Sequence, residues 1–272
     1  MNGAKRPRGR PKSQFRESSA GTLQSLDRAL GILTAVSKTD GASLTDLSLA
    51  SGIPTATTHR ILTTLQKHGF VTFNETLQDW RIGIEAYRAG VAFMNRTNLA
   101  DVSRSVMRDL MEKTGETANL AIPDGAEVVF VGQVEAHNPI RAFFARGTRT
   151  SMHASGTGKA ILSTQTDEGV RRLLASSNGL TPFTENTLTT PAALFDDLAR
   201  TRNRRYSFDR EERYTGMSCI GSAIYDEHGD ACGGVSISGP STRFTDLRVP
   251  ELGQMVVDAA DQITDLIGGK RR

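Results

Sequence analysis

The amino-acid sequence predicts an α+β protein made of two domains. Three helix-like segments separated by turns occupy the first 70 residues, and two short strand-like segments follow them. The rest of the chain alternates strand-like and helix-like segments, which predicts a mixed α/β domain with helices flanking an antiparallel sheet. At 272 residues with 38% apolar residues, the chain is long enough to bury two such cores.

The composition argues against several classes of protein. No apolar run approaches the roughly 18 residues that a membrane helix needs, and the N-terminus has no signal-peptide segment, so we expect a cytoplasmic protein without a membrane partner. The two cysteines, Cys219 and Cys232, form no CxxC pair and have no nearby histidine at metal spacing. We therefore expect no disulfide framework, no metal site and no cofactor.

Positive charge is concentrated at the N-terminus. Residues 1–90 contain 12 Lys and Arg against 7 Asp and Glu, a net of +5, whereas residues 91–272 contain 21 against 23, a net of −2. Much of this charge lies in a basic tail, residues 1–21, in which Arg8 and Arg10 flank a glycine between two prolines. The PRGRP sequence resembles the AT-hook, whose Arg-Gly-Arg lies in the minor groove of A·T-rich DNA. The alternative is a solvated leader.

The first helix is predicted over residues 25–41, because apolar residues recur there at helical spacing after Ser25, a plausible cap. Its apolar stripe consists of Leu26, Leu30, Leu33 and Val36.

The next two helices are predicted from their end signals. One begins after Ser43 with Asp46 three residues on, as in a capping box. A tight turn at Gly52-Ile53-Pro54 then leads into a third helix, which ends at Gly69. Helix, glycine turn, helix is the order of a helix-turn-helix.

Two short strands, residues 70–74 and 80–83, are predicted to form the wing of a winged helix-turn-helix over residues 22–84. The third helix is then expected to contact double-stranded DNA. The polar residues at its N-terminal end are the candidates for base and phosphate contacts: Thr55, Thr57, Thr58, His59 and Arg60. The alternative for each of them is a solvated or capping position.

The remaining chain is predicted to form a linker helix, residues 85–98, and a second domain, residues 99–272. Hairpins are expected around Asp124-Gly125 and His228-Gly229, and an amphipathic helix closes the domain. The segment Gly156-Thr157-Gly158-Lys159 is not a phosphate loop, because the full GxxxxGK[ST] pattern is absent. A glycine-rich helix start still offers backbone N–H groups to a small anion; the alternative is a structural turn.

Cys219 lies among small residues, where a thiol can be a nucleophile, a metal ligand, half of a disulfide or one wall of a small polar pocket. A nucleophile needs a base, yet only His137 and His153 lie outside the DNA-binding unit and the hairpin turn, and neither has a familiar cysteine-hydrolase context. Asp209 with the nearby Glu211-Glu212 pair is a conceivable acid/base set, although acidic runs at loop edges are usually solvated.

A pocket wall is the favoured interpretation of Cys219. Ser236 and Ser238 are two residues apart on one predicted strand and so share a face, and Cys219 lies on the partner strand. Such a small polar face makes a poor core and a good pocket.

The chain resembles the IclR family of transcriptional regulators from Leu23 to about Gly268. The most specific match is the spacing of Asp209, Glu212, Cys219-Ile220-Gly221 and Ile224-Tyr225-Asp226; other resemblances are the SGIPTATTHRILTTLQKHGFV and HASGTGKAIL segments. One departure is Arg205, where the family usually has glycine or alanine.

The resemblance implies a winged helix-turn-helix followed by a GAF-like domain that binds a small organic acid, in dimers or dimers of dimers on a palindromic operator. It implies that the acid is bound by Gly156, Thr157, Asp209, Cys219, Ser236 and Ser238. We expect a two- or three-carbon oxo acid, glyoxylate before pyruvate, and control of a catabolic operon. The alternatives are an enzyme acting on such an acid through Cys219 and Asp209, and a constitutive DNA-architectural protein.

Overall fold

The computed structural model describes residues 23–97, 99–142, 144–177 and 179–271. The chain divides into two compact units, with the boundary between Phe93 and Met94. This boundary lies within α4 (Ile84–Thr97), in the stretch expected to link the two domains.

The N-terminal unit has the predicted order of three helices and a hairpin. Its elements are α1 (Gln24–Val36), α2 (Leu44–Ser51), α3 (Thr55–Lys67), β1 (Val71–Asn74) and β2 (Asp79–Ile82). Ser43 caps α2 as predicted by accepting from the Asp46 N–H at 3.2 Å. The Asp46 carboxylate accepts from the Ser43 hydroxyl at 2.7 Å and not from the Ser43 backbone N–H, so the return bond of a capping box is absent from these hydrogen bonds. Gly52 ends α2 in the left-handed conformation, at φ 64°, and so allows the turn into α3.

The first helix differs from its prediction. It begins at Gln24 with Leu23 at the N-cap position, and Ser25 does not cap it. Leu26 and Leu30 are each 54% exposed, whereas Ile32 is fully buried. The stripe was wrong at its N-terminal end because four apolar positions at helical spacing do not reveal which of them the packing partners α2 and α3 can cover. The core of the unit consists of Ile32, Val36, Ala42, Leu47, Leu62, Val71 and Trp80.

The C-terminal unit combines one sheet with helices on its two faces. Its helices after α4 are α5 (Leu99–Thr114), α6 (Gly156–Ser163), α7 (Asp167–Ala175), α8 (Pro191–Arg204) and α9 (Val249–Leu266). Its strands are β3 (Thr117–Asp124), β4 (Glu127–Val134), β5 (Arg149–Ser151), β6 (Ser207–Arg210), β7 (Met217–Tyr225) and β8 (Ala231–Pro240). Both predicted hairpins are present, β3–β4 and β7–β8.

The six strands lie in the order β5-β4-β3-β8-β7-β6, and every adjacent pair is antiparallel. One face packs against α5 and α9, where Ile220 and Ile237 join a large apolar core. The other face packs against α6 and α8, where Ile161, Leu194 and Leu198 form a second core. Because side chains alternate along a strand, the small polar residues beside Ile220 and Ile237 face α6.

Candidate ligand pocket and nucleic-acid interface

Asp209, Cys219 and Ser238 lie side by side on three adjacent strands. Asp209 pairs with Cys219 across β6 and β7, and Cys219 pairs with Ser238 across β7 and β8. Directly paired residues of an antiparallel sheet point to the same face, so the three side chains form one row under α6. Ser236 lies in the next row on this face, opposite Gly221. The sequence placed the two serines and the cysteine on one face correctly.

The first turn of α6 packs directly on β7. A Cβ atom placed on Gly156 would lie 2.6 Å from Cys219 Sγ, and one placed on Gly221 would lie 2.6 Å from the Thr157 nitrogen. Both distances are too short for any side chain, so glycine at these two positions allows the helix start to reach the strand. Ser155 caps α6 by accepting from the Gly158 N–H at 3.3 Å. The backbone at Gly156 is thereby held against the thiol of Cys219.

A cavity of about 20 Å³ lies above the row. Four of the six predicted ligand residues line it: Gly156, Asp209, Cys219 and Ser238. Thr157 and Ser236 do not line it, although both are buried within the same layer. A Cβ atom on Gly234 would lie 2.7 Å from the Thr157 methyl group, which shows that this methyl group packs on β8.

Aromatic and cationic residues that the sequence did not single out also line the cavity. Phe130 and Phe144 stack with ring centroids 4.8 Å apart, and Tyr214 lies 6.3 Å from Phe144. Arg213 and Thr150 also line the cavity. These residues come from β4, β5 and the loops before β5 and β7, so no local pattern in the sequence connects them.

Two buried polar atoms at the cavity have no hydrogen-bond partner among the described residues, Thr150 Oγ1 and Arg213 Nε. Buried polar atoms are satisfied in the great majority of cases, so each such atom calls for a ligand or a water molecule. A cavity of this size has room for about one or two water molecules.

The thiol of Cys219 is not activated as a nucleophile. Burial, with the nearby Asp209 charge, raises its pKa to about 11, although the hydroxyls of Ser238 and Ser236 and the N–H of Gly156 favour the thiolate. The thiol is therefore protonated at neutral pH, and the reactive form of a cysteine is the thiolate.

A buried charge cluster lies beside the row. Lys159 is fully buried, and its Nζ lies 2.6 Å from Glu212, 2.9 Å from Asp197 and 2.7 Å from the Phe208 carbonyl. Burial lowers the pKa of Lys159, but the surrounding carboxylates outweigh burial and raise it overall. Burial also raises the pKa of Glu212, against the opposing effect of Lys159. The lysine therefore serves as a structural counter-ion and not as a phosphate ligand.

Asp209 is the member of this region that faces the cavity. Its carboxylate accepts from the Glu212 N–H at 2.7 Å, yet burial and the Glu212 charge raise its pKa to about 7. The electrostatic interaction of Asp209 with Lys159 could not be predicted, because the two residues are 50 positions apart in the sequence. The sequence feature that indicated a buried charge was Lys159, a lysine within an otherwise uncharged helix start.

The candidate DNA-contacting residues of α3 divide into two groups. Thr55, His59 and Arg60 are exposed, and Thr57 is half-buried. Thr58 is fully buried and its hydroxyl donates to the Ile53 carbonyl at 3.2 Å. The expectation for Thr58 was wrong, because this side chain closes the turn before α3 and is not available to a base edge.

His59 connects α3 to β2, since its ring lies edge-on to that of Trp80 with centroids 6.5 Å apart. Arg8 and Arg10 of the basic tail lie outside the described residues.

Comparison with known proteins identifies the family. Residues 91–265 match the model of the bacterial transcriptional regulator IclR C-terminal domain, and residues 25–75 match the IclR helix-turn-helix domain. The chain belongs to the IclR family.

Curated relatives and solved structures support this assignment over nearly the full length. The HTH-type transcriptional regulator BhcR of Paracoccus denitrificans is 43% identical over 259 residues, which cover 95% of this chain and 92% of that protein. The transcriptional repressor IclR of Escherichia coli is 41% identical over 267 residues, 97% of each chain. The structure of the Thermotoga maritima IclR superposes with a TM-score of 0.74 at 28% identity, covering 90% of this chain and 98% of that one.

The IclR-family chain is therefore a transcriptional regulator and not an enzyme. Within the described residues, no helix combines the length and the apolar character needed to cross a membrane. Among the same residues, no group of three or more His, Cys, Asp and Glu side chains could hold a metal ion.

Proposed function

We propose that this regulator senses a small oxo acid, glyoxylate before pyruvate, in the cavity above Asp209, Cys219 and Ser238. In this proposal the acid alters the affinity of the helix-turn-helix for an operator of a catabolic operon in the cytoplasm. Thr57 and Arg60 contact bases or phosphates of that operator. The protein acts as a dimer or a dimer of dimers, so the operator is a near-palindrome with half-sites about one helical turn apart or a multiple of it.

The observation that carries the proposal is the pairing of Asp209, Cys219 and Ser238 directly under the first turn of α6. The hydroxyl of Ser238 is a hydrogen-bond donor for an acid oxygen, and the compact thiol of Cys219 borders the carbonyl carbon. A cavity of about 20 Å³ has to widen for any organic acid, and a two- or three-carbon acid requires less widening than an aromatic acid.

The test is calorimetry of the full chain with glyoxylate, pyruvate, acetate and benzoate. We expect saturable binding of glyoxylate or pyruvate and weaker binding of the other two acids. Ser238→Ala removes a hydrogen bond to a charged ligand and should weaken glyoxylate binding by about 1.5 to 3 kcal/mol.

Ser218→Ala is the matched control. Ser218 is the neighbour of Cys219 on the opposite face of β7, where its hydroxyl lies 3.0 Å from Ser241 Oγ, so its loss should leave glyoxylate affinity unchanged. Equal binding of glyoxylate by the parent and Ser238→Ala would place the ligand elsewhere.

A further inference from the structure

Arg213 differs from neighbouring arginines in having no acidic partner. Arg210, three residues earlier, pairs with Asp246, and Arg205 pairs with Asp261. Arg213 makes no ion pair with any described carboxylate, and its Nε is buried without an acceptor. It nevertheless lines the cavity that contains Asp209, Cys219 and Ser238.

Two aromatic rings fix the position of this guanidinium. Its central carbon lies 3.8 Å from the centroid of Phe183 and 5.2 Å from that of Tyr214. Stacking stabilises the charge through the ring faces but supplies no acceptor for the N–H groups at the edge of the guanidinium. Stacking therefore holds the side chain in place while its Nε has no acceptor among the described residues.

The chemistry of a guanidinium specifies what this position accepts. It is charged at every physiological pH, has no acceptor atom, and presents N–H donors in a planar fork that matches a carboxylate. Leaving a buried N–H without an acceptor is costly, so an anion at this position gains both the charge interaction and the missing hydrogen bond. Asp209 lines the same cavity and accepts a hydrogen bond from the Arg213 backbone N–H, and its acidic side chain is a poor partner for a second anion.

We propose that Arg213 is the counter-ion of the bound effector, so that the pocket selects a carboxylate over a neutral molecule of the same shape. The inference rests on the proposed function and deepens it. The carboxylate of the oxo acid lies toward Arg213, and its carbonyl end lies toward Cys219 and Ser238.

The test compares glyoxylate with its neutral amide by calorimetry, using the full-length parent and three variants. The parent should bind the acid at least tenfold more tightly than the amide. Arg213→Met should weaken binding of the acid by about 10- to 100-fold while changing that of the amide less than threefold, because only the acid loses a charged hydrogen bond. Arg213→Lys keeps the charge without the fork and should give an intermediate ratio.

Arg210→Met is the matched control, since Arg210 is an exposed arginine of the same segment with its own partner, Asp246. It should bind both compounds as the parent does. A parent that binds the acid, with an unchanged acid-to-amide ratio in Arg213→Met, overturns the role of Arg213 and leaves the proposed function standing. Equal weakening of acid and amide in Arg213→Met overturns it too, because that result indicates a packing role. A parent that binds neither compound overturns the proposed function and this inference together.

Discussion

At the scale of single residues, the pocket depends on ionisation states that the sequence only partly reveals. The alternation of Cys219, Ser236 and Ser238 with apolar residues was sufficient to predict their shared face, because a strand has a period of two. The same alternation could not predict that Ser238 lines the cavity and Ser236 does not, since this depends on where the first turn of α6 packs on the sheet. The protonation of Cys219 and Asp209 depends mainly on burial, and burial is set by tertiary packing that no local pattern encodes.

The pKa of Asp209 predicts how effector binding varies with pH. Burial, reinforced by the Glu212 charge, raises this pKa from 3.8 to about 7, so the side chain carries a proton below pH 7 and is ionised above it. A small oxo acid is already an anion throughout this range, because carboxyl groups beside a polar carbon titrate near 3 to 4. Ionised Asp209 opposes the bound anion, so binding above pH 7 requires uptake of a proton.

We therefore expect glyoxylate affinity to be nearly constant below pH 6 and to fall above pH 7, approaching tenfold for each pH unit. Calorimetry from pH 5.5 to 8.5 measures this dependence. Asp209→Asn, which is neutral throughout, should flatten the profile. A parent whose affinity is the same at pH 6 and pH 8.5 would show that Asp209 does not face the bound acid.

At the scale of elements, the sequence predicted helices and hairpins best where caps and turns mark their ends. The cap signal at Ser43 and the glycine turn at Gly52 placed α2 and α3 to within a few residues. Strand β6 was missed because its residues, Ser207–Arg210, lead into an acidic run that has the composition of a solvated loop. Its pairing with β7 over four residues buries Asp209, which is a tertiary effect.

The next prediction concerns DNA recognition by helix α3. Replacing Thr57 or Arg60 with alanine should weaken specific binding by about 1 to 3 kcal/mol for each base contact that is lost. Gel shifts on the DNA upstream of the gene measure the effect. Arg104→Ala, which removes one exposed arginine from α5 in the other unit, controls for the loss of charge.

Thr58→Val provides a second comparison on the same helix. It removes the hydroxyl that donates to Ile53, so we expect the free energy of unfolding to fall by about 1 kcal/mol while base preference stays as in the parent. Parent-like operator affinity in both Thr57→Ala and Arg60→Ala would contradict the assignment of α3 as the reading helix.

At the scale of the whole molecule, the order of the helices and strands was predictable from the sequence. Which of their apolar side chains are buried in a core was not. The two units and both hairpins followed from periodicity and turn residues, whereas Leu26 and Leu30 were assigned to a core that leaves them exposed. A regulator requires the two units to be energetically coupled, because an effector changes DNA affinity only as far as it discriminates between two states of the protein.

The most direct test of the account is the affinity of the full chain for its upstream DNA, measured at pH 6.5 with increasing glyoxylate or pyruvate. We predict a saturable change of about 5- to 150-fold, the usual range of coupling between two sites, with Ser238→Ala requiring more acid to reach it. DNA affinity that is the same without effector and at saturating concentrations of both acids would contradict the central claim.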